Sequence, residues 1–234
     1  DRAGTLSEKL RDLGADVVEF PCIRTEAVSP CPAMEAALER LPEYEWLGFT
    51  SAAGVEAFWN CLRDMGKDAR ALGNVKLAVI GASTGRALEA HGLTADLVPE
   101  VYDAPHMGEA LANAAAGRVL LLRAEEGSSA LTDALAAAGV AFDDIAVYRT
   151  IYDNPRSAEL REELEAGGFD FVTFTSASTV KGFVSAVGGD ADFSRFTGLC
   201  IGKQTAGEAE KHHISVKTAA KAAIDALVEL ALEK

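Results

Sequence analysis

The sequence predicts an α/β protein of two similar domains, each a parallel sheet flanked by helices, joined by a two-stranded linker. Three observations carry this. Short apolar segments alternate with amphipathic ones along the 234 residues, the pattern of parallel strands connected by helices. The stretch Trp46–Ala52, an apolar run ending in Phe-Thr-Ser-Ala, returns at Phe171–Ala177, an offset of 125 residues. The helix behind each copy repeats as well. Val55, Phe58, Trp59 and Leu62 stand at i, i+3, i+4, i+7, and Val180, Phe183, Val184 and Val187 repeat that core-facing stripe at the same offset. Tetrapeptide and stripe together mark an internal duplication.

In chain order, residues 4–13 read as a helix closed by Gly14, and Ala15–Phe20 alternates as a strand that continues extended to Thr25. Pro30 and Pro32 bracket a break before a helix over 33–41. The strand ending at Phe49 and the helix 52–65 follow. Val75–Ile80 reads as a buried strand, Gly81–Thr84 as a turn and 85–91 as a helix. A short strand at 95–98, a helix at 105–115 and the strand Arg118–Arg123 come next. Glu125–Ser129 turns into a helix over 130–138 ended by Gly139, and Phe142–Thr150 is a long strand. The second set begins at Pro155 and ends with strand 198–202, helix 204–212, strand 214–217 and helix 218–233.

The repeat also orders the domains. Leu10, Gly14 and Arg24-Thr25 match Leu135, Gly139 and Arg149-Thr150, so the segment before each Thr precedes one half of the duplication. Both sheets close if residues 25–150 form one domain and residues 1–24 with 151–234 the other. A hinge is then expected near 21–25 and 147–151, with a ligand cleft between the domains. The counterpart of Val119–Arg123 would fall before residue 1, so a first strand is expected there in the natural chain.

The net charge of −14 argues against a nucleic-acid binder, whose affinity rests on Lys and Arg, and against an acidic membrane surface. No apolar run reaches the roughly 20 residues of a membrane helix, and no signal-peptide pattern is present, so a cytoplasmic location is expected. Cys22, Cys31, Cys61 and Cys200 lack metal-site spacing. A Cys22–Cys31 pair is conceivable, but free thiols in a reducing compartment are the expectation. Walker A, GxSxG and HExxH sequences are absent, and Gly81–Gly85 lacks GxGxxG spacing. His91, His106, His212 and His213 read as solvated surface, and no metal is expected.

Small hydroxyl residues crowd the strand-to-helix turns: Thr50-Ser51, Ser83-Thr84, Gly127-Ser128-Ser129, Thr175-Ser176 and Thr205. At the carboxyl ends of parallel strands, hydroxyls and free helix N–H groups suit carboxylates or phosphates. Each of these residues could equally be a plain helix cap.

Phe49-Thr-Ser-Ala52, Ile80-Gly-Ala-Ser-Thr84, Ala146-Val-Tyr-Arg-Thr150, Phe174-Thr-Ser-Ala177 and Ile201-Gly-Lys-Gln-Thr205 stand in the order seen in uroporphyrinogen-III synthases, a family the chain resembles over nearly its whole length. The resemblance implies two α/β domains on a two-stranded linker. It also implies cyclisation of hydroxymethylbilane with inversion of ring D and loss of water, without cofactor or metal. It points to Tyr148, matching the family's linker tyrosine, as the proton donor to the departing hydroxyl. Ser51, Thr84, Ser176 and Thr205 match its cleft positions, and Thr50, Ser83, Gly127 and Ser128 join them as expected substrate contacts. Lys203 stands where many relatives carry Pro or a small residue.

The substrate is polyanionic and the protein acidic. Contacts through backbone N–H and hydroxyl groups are therefore expected to dominate, with Arg123, Arg149 and Lys203 offsetting local repulsion. A monomer is expected, acting with or fused to a uroporphyrinogen methyltransferase. The competing classes are a hinge-type small-anion binding protein without catalysis and a nucleotide- or sugar-phosphate-using enzyme.

Overall fold

The structure, a computed structural model, describes residues 2–152, 154 and 156–232, the side chains of residues 2 and 3 excepted. The chain divides into two compact units, residues 25–150 and residues 1–24 with 151–234. No helix among the described residues is long and apolar enough to cross a membrane.

In chain order the elements are α1 (Arg2–Asp12), β1 (Arg24–Ala27), α2 (Pro32–Glu39), β2 (Tyr44–Phe49), α3 (Ala52–Asp64), β3 (Lys76–Val79), α4 (Ala82–Ala90), α5 (Ala104–Ala114), β4 (Arg118–Ala124), α6 (Ser129–Ala137) and β5 (Phe142–Ile151). There follow α7 (Ser157–Glu165), β6 (Phe171–Phe174), α8 (Ala177–Val187), β7 (Thr197–Cys200), α9 (Lys203–Lys211), β8 (Val216–Thr218) and α10 (Ile224–Leu232).

The unit of residues 25–150 is built on a five-stranded sheet ordered β1-β5-β4-β2-β3, with parallel β5, β4, β2 and β3. Its central strands are near-continuous apolar runs because helices cover both faces. Val119, Leu120, Leu121 and Leu122 of β4 are all fully buried. On one face Leu47, Phe49, Leu120 and Leu122 meet Val55, Phe58 and Leu62 of α3. On the other, Val119 and Leu121 meet Met107 and Leu111 of α5 and Leu131 and Leu135 of α6. The alternation along β4 thus assigns each leucine to a helix layer.

The other unit carries the parallel three-stranded sheet β6-β7-β8. Its pairing repeats that of the first sheet. Trp46 faces Lys76 and Phe49 faces Val79; Phe171 faces Thr197 and Phe174 faces Cys200. The duplication read from the letters is therefore a duplication in strand register. The aromatic pair repeats too, with Phe49–Phe58 and Phe174–Phe183 ring centroids both 5.5 Å apart and edge-on.

Five expectations change. Residues 15–20 form no strand. Their counterparts in β5 pair with β4, and no strand takes that place in this unit among the described residues. An alternating pattern without a partner for its N–H and C=O groups makes no ladder. The segment is held by side chains instead. Arg11 donates to the Val17 carbonyl (3.3 Å), Asn154 to that of Pro21 (2.7 Å), and the Cys22 thiol to that of Thr179 (3.2 Å). The expected first strand before residue 1 lies outside the described residues.

Next, α4 begins at Ala82, so Ser83 and Thr84 belong to its first turn rather than to the preceding loop. The strand expected at 95–98 is reduced to one parallel bridge between Ala78 and Leu97. The last helix starts at Ile224, six residues later than expected. His91 is half-buried, stacked on Trp59 (4.8 Å between centroids) and bonded to Glu56 (3.0 Å). All four cysteines are free thiols, and burial raises the pKa of Cys22, Cys61 and Cys200, the last to about 11.

Helix α8 passes so close to residues 22–23 that a Cβ on Gly182 would lie 2.4 Å from the Cys22 carbonyl oxygen. A Gly182→Ala change gains about 1 kcal/mol of helix propensity but forces backbone apart, a strain of roughly 1–3 kcal/mol. The obstacle is backbone and cannot rotate away, so the strain wins. A net loss of stability, read from the urea midpoint, is expected.

At the amino end of the first sheet, Tyr44 donates a short hydrogen bond to Asp143, which Arg118 grips through Nε (3.0 Å) and Nη2 (2.7 Å). Arg118 and then Tyr44 hold the Asp143 carboxyl down at about 2, while burial and then Asp143 push the Tyr44 phenol up to about 12. A depressed carboxylate stabilises the fold above its unfolded pKa, near 4, and loses that contribution as pH falls toward 2. Asp143→Asn is therefore expected to flatten the acid limb of stability between pH 4 and 2, as urea titrations at each pH would read.

Candidate active site

In a parallel sheet the turns after the strands all open at the carboxyl edge, where helix N-termini leave unpaired N–H groups. In the unit of residues 25–150 this edge gathers Thr50-Ser51 after β2, Gly81–Thr84 after β3, Ala124–Ser129 after β4, and Tyr148 near the end of β5. In the other unit, Thr175-Ser176 follows β6 and Ile201–Thr205 follows β7.

Three of the serines are helix caps. Ser51 accepts from the Gly54 N–H (3.1 Å), Ser128 from Ala130 (3.3 Å), and Ser176 from Thr179 (3.1 Å), the last within a reciprocal capping box. Capping uses a lone pair of the hydroxyl oxygen and leaves its proton to give. The capping and ligand readings are thus compatible: a capping serine can still donate to a carboxylate. Thr50, Ser51, Ser83 and Ser176 are half-buried, and Ser128 and Lys203 are exposed.

Thr84 and Thr205 differ. At 3% and 4% exposure they face inward from the first turns of α4 and α9, which does not fit the carboxylate contact expected of their side chains. Both occupy the same place after β3 and β7, so this inward setting is a property of the repeat.

Arg123 is a correction. Its side chain is 8% exposed, and both Nε and Nη2 donate to Asp144 at 2.6 Å. Nη1 donates to the Ser128 carbonyl at 2.5 Å. Its charge is matched and each of its three nitrogens has a partner, so Arg123 braces the β4–α6 turn rather than offsetting substrate charge. Gly127 belongs to that brace, since a Cβ there would meet Arg123 Nη1 at 2.7 Å. Arg149 is exposed and ion-paired with Glu26 at 3.5 Å.

Tyr148 stands opposite Ala124 in the β4–β5 ladder, and its carbonyl accepts from the Glu125 N–H (2.9 Å). Its ring is partly buried against the core while its hydroxyl has no hydrogen-bond partner among the described residues. The backbone is thus fixed against β4 and the residue that follows it, and the phenol is left with a proton to donate at the carboxyl edge. Sequence reasoning missed Tyr102, which lies over Gly81 at the same edge. The sequence around it, Val101-Tyr102-Asp103, has no motif that could have flagged it.

The family model for uroporphyrinogen-III synthase HemD matches residues 4–229. A porphyrin biosynthesis protein HemD of Ruminiclostridium josui is 35% identical over the whole of this chain, which spans 46% of that protein. The uroporphyrinogen-III synthase of Synechococcus elongatus is 27% identical over 86% of this chain and 77% of its own length. Among solved structures, a mutant uroporphyrinogen III synthase of Thermus thermophilus superposes with a TM-score of 0.68 over 97% of this chain and 92% of that one. At 21% identity that likeness concerns the fold. With the family model matched across nearly all of its length, the chain belongs to the uroporphyrinogen-III synthase family.

Proposed function

We propose that this chain closes the linear tetrapyrrole hydroxymethylbilane into uroporphyrinogen III, inverting ring D and releasing water. One observation carries the reading: the family match runs continuously through residues 4–229 and so takes in every carboxyl-edge turn and Tyr148.

The chemistry asks for little beyond acid assistance and placement. Loss of the ring A hydroxyl as water leaves an electrophilic azafulvene, and Tyr148 is the proton donor to that departing oxygen. Ring D then attacks through its substituted carbon, giving a spiro-pyrrolenine that fragments and recloses with the ring reversed. The unaided substrate closes to the uninverted isomer, so the protein's main work is to hold the chain folded where the unsubstituted carbon cannot reach. That is a positioning task, suited to many weak contacts spread over several turns. Thr50, Ser51, Ser83, Ser128 and Ser176 donate hydroxyl protons to pyrrole carboxylates. The first-turn N–H groups ahead of Thr84 and Thr205 add backbone donors and exposed Lys203 adds charge, whereas the Gly127 N–H is taken by the Ala124 carbonyl (3.0 Å) and only shapes the turn. We place the reaction in the cytoplasm, with the protein as a monomer acting beside or joined to a uroporphyrinogen methyltransferase.

The test is incubation with freshly made hydroxymethylbilane, oxidation, and chromatographic separation of type I and type III uroporphyrin. Type III in excess of the enzyme-free control is the expected result; type I alone would overturn the reading.

A further inference from the structure

The loop between the Leu97 bridge and α5 exposes three large side chains in a row of six residues. Val98 is 46% exposed, Val101 48% and Tyr102 57%. One exposed apolar residue is ordinary; a cluster in a tightly built loop is not. The loop is tightly built. Pro99 is buried, and the Asp103 N–H bonds back to the Val101 carbonyl (2.9 Å), closing a three-residue turn with Tyr102 at its apex. Asp103 then caps α5, accepting from the His106 N–H (3.0 Å) and bonding the His106 ring at 2.6 Å.

The Tyr102 ring rests on the turn after β3. A Cβ on Gly81 would lie 2.8 Å from Tyr102 Cγ and 2.9 Å from Cδ2, so the glycine is what lets the ring lie this close. One side of the side chain is thus braced, yet more than half of it faces solvent, and its hydroxyl has no partner among the described residues. Leu97 pairs in parallel with Ala78, so the loop leaves the sheet at the same carboxyl edge as Ser83, Ser51 and Ser128. A braced aromatic beside hydroxyl and N–H donors matches a ligand that is at once aromatic and anionic. The loop itself carries exposed Glu100, so contact here comes through a ring face rather than a carboxylate.

We propose that Tyr102 is a substrate-contact residue, a platform on which one pyrrole ring of the tetrapyrrole stacks while the Gly81–Ser83 turn receives that ring's carboxylate. The inference rests on the reading of the chain as a tetrapyrrole cyclase. Pyrrole is electron-rich, and offset or edge-on packing on a phenol favours it over water. Tyr102→Ala is expected to raise KM about tenfold, the scale of losing one ring–aromatic stack, with kcat and the type III share of product little changed. Tyr102→Phe keeps the ring and should keep KM. Because the side chain is exposed, neither variant should move the urea midpoint.

A Tyr102→Trp variant supplies a readout independent of turnover: titration with uroporphyrin III should quench its added fluorescence beyond the quenching of the wild type, whose Trp46 and Trp59 are buried. An active wild type with Tyr102→Ala unchanged in KM overturns the platform and leaves the function standing. A fall in kcat at constant KM likewise overturns it. A wild type that makes no type III product overturns the function, and the quenching result alone then decides the platform: quenching equal to wild type sinks it.

Discussion

Tyr148→Phe is expected to lower kcat about a hundredfold with little change in KM or in the urea midpoint. Positioned proton donors contribute roughly 10²–10⁴-fold, and the lower end applies because water can protonate the same departing hydroxyl. The clean separation of activity from stability follows from the site. The Tyr148 hydroxyl gives up no hydrogen bond on removal, since it has none among the described residues, and the ring that packs against the core remains in Phe. The backbone bond from the Glu125 N–H is untouched. Single-turnover kinetics on the variant and the wild type would read the step; equal rates would remove Tyr148 from the chemistry.

Asp144→Ala is expected to destabilise the protein by about 3 kcal/mol, the cost of leaving a buried charge unpaired. Arg123 is the charge left behind, with its Nη1 still tied to the Ser128 carbonyl but Nε and Nη2 without acceptors. Replacing both partners, Arg123→Met with Asp144→Leu, should recover much of the loss, because two apolar groups in that space leave no charge to desolvate. A urea double-mutant cycle measures the coupling. Arg123→Met that kept full stability and lost only substrate affinity would restore the ligand role and displace the brace.

Arg123 also shows where sequence reasoning stops. In the linear order it ends an apolar strand just before a Gly-Ser-Ser turn, the place expected of a residue that meets an anion. Its carboxylate partner is 21 residues away, on the next strand of the ladder, and only the β4–β5 register brings the two together. Thr84 and Thr205 fail for a related reason. Their places after β3 and β7 were legible, but a one-residue rotation on a helix turns a side chain by about 100° and decides whether it faces substrate or core. The capping role of the serines was legible, because capping follows from local backbone alone.

What the sequence by itself determined was the repeated strand–turn–helix unit and the family to which the chain belongs. Period, turn chemistry and self-similarity are local or internal signals, so they survive without coordinates. Tertiary structure alone decided that Arg123 is ion-paired and that Tyr102 is braced on Gly81 with its ring exposed. Each of these depends on what stands beside a residue in space, and pairing between distant segments leaves no mark in the order of the letters.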